Sequence, residues 1–404
     1  MTALSRLSAE PVTAIAAAGE PVPGALREAV AVAREWAGDG LVALLLSGSH
    51  ATGEAAWLEH AGRRVTLSDV DVYAVMRDEG ACRAAAGRAR AGRAAAADRL
   101  RAAGLEAPLE VGFLTLAGLA RMPAKPGTLE LARHGRVVAG EPSALARVPR
   151  WSPRDVPAEE GALLLENRGL ELLLAWPKLG SADALERSQA RHGTLKAAAD
   201  LATVLALRCG ELPDGTPARV AWAGERVPAL LAPCLPPERL GVPAELDRLW
   251  ASGLAWRAGG VGPPEARAAA EEWRSAARGW CAVWGWWFGA GAGDPWEGAL
   301  RSAARASLPR RLRRGRRATG AGSPARRLAL ALAGTPQHRV NASAAVLLLC
   351  AAASPSAPAL PAGALRALRV LGVSQSGTWD GARRDVVRAW DALVLGGQRG
   401  TDAL

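Results

Sequence analysis

Leu41-Val42-Ala43-Leu44-Leu45-Leu46-Ser47-Gly48-Ser49, followed by Leu67-Ser68-Asp69-Val70-Asp71-Val72-Tyr73-Ala74-Val75, decides how the N-terminal part of this chain reads. Residues 41–46 are apolar and β-prone and run straight into a Gly-Ser turn. Asp69, twenty residues past Ser49, opens a run in which Asp69 and Asp71 alternate with Val70 and Val72. Side chains at i and i+2 leave the same face of a strand, so both carboxylates are expected to point one way. Two fixed carboxylates a few ångströms apart repel each other unless a cation lies between them. Gly48 and Ser49 supply backbone N–H groups and a hydroxyl, which suit phosphate oxygens. This combination points to Mg²⁺-dependent phosphoryl or nucleotidyl chemistry.

Alternative readings stand beside each of these. Gly-Ser is a common strand-to-helix turn. Ser68-Asp69 could cap a helix, although the β-branched run after it favours a strand. Downstream, Leu109-Glu110-Val111-Gly112-Phe113-Leu114 reads as another strand, with Glu110 either a third metal ligand or an exposed strand residue.

Leu44-Leu45-Leu46-Ser47-Gly48-Ser49-His50-Ala51-Thr52-Gly53-Glu54 and Ser68-Asp69-Val70-Asp71-Val72 together resemble the polymerase-beta-like nucleotidyltransferases, in particular their small, aminoglycoside-nucleotidyltransferase-like branch. The resemblance covers about the first 145 residues and extends to Glu130-Leu131-Ala132-Arg133-His134-Gly135-Arg136-Val137-Val138-Ala139-Gly140-Glu141, similar to the glycine-bounded strand that closes such domains. Two departures are visible. Small members of the family place Asp-x-Asp about a dozen residues after Gly-Ser, whereas residues 55–66 here form an insertion; and Glu110 stands where Asp is more usual. Loop closure cost grows slowly with length, so an insertion at the rim is tolerable.

The resemblance implies that Asp69, Asp71 and Glu110 are catalytic and hold two Mg²⁺ ions about 4 Å apart, with Mn²⁺ as a substitute. It implies that Gly48 and Ser49 bind the β- and γ-phosphates of an NTP, with ATP the first choice. The acceptor is expected to be a hydroxyl of a small molecule or of a protein. The alternative is a catalytically inactive nucleotide-binding or protein-interaction scaffold.

Other residues carry weaker readings. Thr52 and Glu54 stabilise a helix N-terminus or touch substrate. His50 is expected to be exposed beside the site. His134 and Arg136 line a nucleotide pocket or sit at a strand edge. Ala190-Arg191-His192-Gly193-Thr194-Leu195-Lys196 looks like the C-terminal helix of aminoglycoside nucleotidyltransferases. Lys196 then reaches the triphosphate, or pairs with Asp200 four residues on.

Composition sets the frame. A chain of 404 residues suits two or three domains. Its net charge of +11 favours anionic partners. Five scattered cysteines (Cys82, Cys209, Cys234, Cys281 and Cys350) form no CxxC pair, as in reduced, mostly buried thiols without zinc or disulfides. Glu10 and Glu20 interrupt any apolar run near the N-terminus and no apolar run reaches membrane length, so no secretory signal and no membrane partner are expected and the expected compartment is cytoplasmic.

The fold expected is α+β. A small mixed β-sheet domain over residues 1–148 is followed by a helical domain over 149–300, then an Arg-rich linker and helical segment over 301–404. Long helices are expected over 81–104, 159–176, 181–207, 263–288, 328–353 and 363–395, with a break at 211–226. Trp273, Trp280, Trp284 and Trp287, spaced by seven, four and three, mark a buried stripe rather than a base-stacking platform. Arg310-Arg311-Leu312-Arg313-Arg314-Gly315-Arg316-Arg317 has no aromatic interleaving, and a nucleic-acid partner is not expected from it.

Overall fold

The computed structural model describes residues 22–235, 241–259, 262–288, 336–354 and 358–400. The expected α+β architecture is present: a small mixed sheet in the N-terminal part and helices after it. The chain divides into two compact units. The first comprises Met1–Glu160 with Cys209–Thr216 and Leu254–Gly262, and the second the rest. The Arg310–Arg317 run lies outside the described residues.

In the first unit the elements run α1 (Pro23–Ala37), β1 (Leu41–Ser47), α2 (Gly48–Thr52), β2 (Trp57–His60), β3 (Arg63–Thr66), β4 (Val70–Met76), α3 (Glu79–Ala102), β5 (Leu109–Thr115), α4 (Leu116–Leu119), α5 (Pro126–His134) and β6 (Arg136–Gly140). The four-stranded sheet has the order β5-β4-β1-β6. β1 is antiparallel to β4 and β6, and β4 is parallel to β5.

Period-two alternation sorts the sheet residues between two cores. Leu44, Leu46, Val70, Val72, Ala74 and Met76 pack with Ala25, Leu26, Ala29, Val30 and Ala33 of α1 and with α3 residues. Those α1 positions recur at three and four residues, one stripe of a helix. Ala43, Leu45 and Val75 face the other way, against Leu119 of α4 and Leu131 of α5. Arg88 of α3 closes the C-terminal end of α1, its Nε donating to Trp36 O at 2.7 Å and Nη2 to Ala37 O at 2.6 Å. Gly140 has φ +83°, and a Cβ there would fall 2.1 Å from Val42 O, so the irregular β1–β6 register requires glycine.

The insertion over residues 55–66 is folded. Trp57–His60 pairs with Arg63–Thr66 as a hairpin, from Trp57 opposite Thr66 to His60 opposite Arg63. Arg64 lies over the Trp57 indole at 4.6 Å. The same indole covers Gly259, where a Cβ would come within 2.5 Å of the ring.

The second unit is built on most of α6 (Ala158–Ala175), α7 (Ala184–Arg208), α8 (Gly215–Leu231), α9 (Val242–Arg257), α10 (Ala266–Phe288), α11 (Pro336–Ala353), α12 (Ala362–Leu371) and α13 (Trp379–Gly400); the start of α6, the start of α8 and the end of α9, with Thr216 and Arg257, belong to the first unit. Helix α10 packs on α7 and α11, and α11 on α12 and α13. Three local expectations need correction. The break expected at 211–226 is largely helix α8: Pro217 falls in its first turn, where no N–H is needed. Helix α9 went unanticipated. The helix expected over 363–395 is two, because Gly372 adopts a left-handed cap with φ +69°.

Trp273, Trp280 and Trp284 are buried and Trp287 is partly buried. Their N–H groups confirm a core role: Trp273 Nε1 donates to Leu172 O and Trp280 Nε1 to Leu165 O, each at 2.7 Å. Trp280 fills the space over Gly169, where a Cβ would lie 2.7 Å from the ring. Cys82, Cys281 and Cys350 are buried and Cys209 is exposed, and none of the four is in a disulfide. Among the described residues no helix is long and apolar enough to cross a membrane. Replacing Trp273 with Ala is expected to cost about 3–5 kcal/mol by leaving a cavity and removing the indole bond to Leu172 O, measured by urea denaturation.

Candidate functional site

The site is laid out by strand register. Ser47, the last residue of β1, is the partner of Asp71 in β4. Asp71 is in turn the partner of Glu110 in β5. The alternation that sends Val70 and Val72 to the α1/α3 core puts Asp71 and Glu110 on the opposite face, with Ser47. The two acidic groups therefore share one face. Asp69 immediately precedes β4 and is partly buried, Asp71 is partly buried, and Glu110 is exposed.

At the end of β1 the chain turns through Gly48 with φ +66°. A Cβ built on Gly48 would fall 2.4 Å from Asp71 Oδ2. The carboxylate thus lies directly against the turn, and only glycine leaves room for it. Next to it, Ser49 Oγ is buried with no hydrogen-bond partner. Such an orphaned hydroxyl costs free energy unless something supplies a partner.

Tyr73, one position along the same face, is an addition that sequence reading missed. Its ring lies over Gly112, where a Cβ would be 3.1 Å away. Burial, with the Asp71 and Glu110 carboxylates adding to it, holds its phenol above the usual tyrosine range. The signal available in sequence was its i+2 spacing from Asp71.

The surroundings revise several expectations. His50 is not exposed: it is 2 % accessible, because the inner side of α2 packs His50 and Ala51 into the unit. Its Nε2 lies 3.4 Å from Ser68 O. Thr52 and Glu54 do not lie at a helix N-terminus: Thr52 is the last residue of α2 and Glu54 follows its Gly53 cap. Glu54 accepts from Thr216 N at 3.0 Å and Thr216 Oγ1 at 2.6 Å, and its carboxylate lies 3.6 Å from Arg257 Nη1. His134 Nε2 is 2.8 Å from Asp214 Oδ1, and that bond, with Arg133 also close, keeps the Asp214 carboxyl below the usual range. Arg136 is exposed on β6. Lys196 lies on α7 in the second unit, where Asp200 pairs with Arg168 Nε at 2.5 Å.

Among the described residues, no three His, Cys, Asp or Glu side chains are gathered into a set that could hold a metal ion. The residue types nonetheless fit a hard divalent cation: carboxylate oxygens on one face beside an orphaned hydroxyl. Glu110 is exposed.

Comparison with known proteins finds no family model, curated protein or solved structure that matches this chain.

Two outcomes are expected. Tyr73 is the sole tyrosine, so absorbance at 295 nm reads its ionisation directly. It should titrate above about 10, and Asp71→Asn or Glu110→Gln should each lower the midpoint. The sign for stability follows: between the unfolded and the raised folded value the native state holds the extra proton, so stability falls as pH rises through that window. Gly48→Ala should lower stability by about 1–2 kcal/mol from the left-handed backbone alone, read by thermal melting, with displacement of Asp71 in addition.

Proposed function

We propose that the first unit is a divalent-cation-dependent nucleotidyltransferase that moves a nucleoside monophosphate from an NTP to a hydroxyl and releases pyrophosphate. The observation that carries this reading is the Asp71 carboxylate held against Gly48, beside the orphaned Ser49 hydroxyl. Phosphate-binding and cation-binding groups then meet at one point, as transfer at phosphorus requires. The resemblance of residues 44–54 and 68–72 to the polymerase-beta-like family supports the same reading.

In this scheme the Gly48 amide and the Ser49 hydroxyl donate to the β- and γ-phosphates. Asp69, Asp71 and Glu110 would hold Mg²⁺, which supplies neutralisation of phosphate charge. The acceptor oxygen forms a bond to the α-phosphorus as the bond from that phosphorus to the β-phosphate bridging oxygen breaks. The acceptor proton passes to the Glu110 carboxylate, and pyrophosphate carries away the electron pair. ATP is the first nucleotide to test, and a small hydroxylated molecule or a protein hydroxyl the acceptor class.

A second reading, a nucleotide-binding scaffold without chemistry, draws on the open arrangement of the carboxylates. The two part on experiment. Incubation with labelled NTPs and a metabolite extract, followed by mass spectrometry, should yield a nucleotidylated product. Asp71→Asn should lower its formation on the order of 10²–10³-fold with an unchanged melting temperature. Calorimetric heat with Mg·ATP but no product from wild type identifies the scaffold.

A further inference from the structure

The insertion separates the two halves of the site in sequence, yet something holds them together. Residues 55–66 leave α2 and return to Asp69 through a closed network. Leu67 N donates to Ala56 O at 2.9 Å, Thr66 Oγ1 to Ala56 O at 3.1 Å, and Ala56 N to Ser68 Oγ at 2.9 Å. These bonds join the two ends of the hairpin to each other. They do not join either end to the Gly48-Ser49 turn.

The β1–β4 pairing ties the turn to the strand at Asp71, and His50 adds a tie to the segment just before Asp69. The histidine belongs to α2, directly after Ser49, and its Nε2 lies 3.4 Å from the carbonyl of Ser68, directly before Asp69. Both residues are 2 % accessible. A carbonyl so buried needs a donor, and the imidazole supplies one from Nε2.

We propose that His50 is a positioning residue for Asp69: by holding the Ser68 carbonyl it fixes the spacing between the phosphate-binding turn and the first carboxylate. The inference rests on the nucleotidyltransferase reading of the same site and adds to it a residue outside the carboxylate and Gly-Ser groups. A displacement of about 1 Å at a reacting group can cost ~10²-fold in rate.

The test compares His50→Gln, His50→Asn and His50→Phe in the full chain. A glutamine amide nitrogen reaches the Nε2 position, whereas an asparagine amide nitrogen falls nearer Nδ1. Two readouts are followed: kcat and KM for Mg·ATP turnover, and hydrogen–deuterium exchange over residues 66–70 without metal or nucleotide. His50→Phe and His50→Asn should lower kcat about 10–100-fold with KM little changed, and should speed exchange at that segment. His50→Gln should restore both. Equal kcat in all three variants and wild type overturns the inference, as does equal loss in Gln and Phe, which would show that a donor at the Nε2 position does not restore function, or retention in Phe with loss in Gln, which would make ring shape the requirement. If His50→Phe does not fold, the Gln and Asn pair decides alone. Absence of turnover in wild type refutes the reading of the site, and the exchange comparison then still decides whether His50 secures the Ser68–Asp69 segment.

Discussion

The approach of the Asp71 carboxylate to the Gly48 backbone is the constraint on which the site depends. It follows from two registers, Ser47 against Asp71 and Asp71 against Glu110, that align three side chains across three strands. A slip of one residue in either pairing would turn the acids toward the α1/α3 core and valines toward solvent. The burial of Val70, Val72, Leu44 and Leu46 therefore secures the polar face as firmly as any contact on that face. The low energy of the apolar side fixes where the charged side lies.

Around this centre, contacts distant in sequence hold the turn. Glu54 closes α2 through its N–H to Ser49 O at 2.8 Å and carries its carboxylate to Thr216 and Arg257. Arg257 Nη1 also donates to Glu54 O at 3.2 Å. The hairpin places Trp57 on Gly259 in the same stretch of chain. These partners are half-buried, where a charge-assisted bond is stronger than at the surface. The insertion is thus a built part of the unit, and the longer spacing between Gly-Ser and Asp-x-Asp does not separate them in space.

The helical unit solves a different problem. Its helices are rich in alanine, which packs closely but covers little area. Tryptophan restores the volume: Trp280 over Gly169, Trp287 over Gly161, and Trp176 against Trp273 with ring centroids 4.6 Å apart. Each buried indole N–H of Trp250, Trp273, Trp280 and Trp379 finds a backbone carbonyl from a neighbouring helix or turn. Small and large residues matched across helix faces give the density that either alone would lack.

Local periodicity made much of this legible. The apolar run before Ser47, the alternation through Asp71, the strand carrying Glu110 and the seven-four-three tryptophan spacing each reflect the geometry of a single element, which neighbouring residues alone determine. His50 was misjudged because nothing adjacent tells which side of a five-residue helix faces inward. Helix α8 differs from the expected break because Pro217, a breaker in mid-helix, falls in the first turn, which tolerates one. The partners of Glu54 lie 162 and 203 residues away, and no local rule reaches that far. By itself the sequence determined the element types, the face of each strand and the residues able to carry the chemistry, since these follow from backbone geometry and side-chain polarity. Only tertiary structure decided that Asp71 rests on Gly48, that Ser49 lacks a partner and that His50 is buried against Ser68, because those distances arise from strand pairing and packing between segments that are remote along the chain.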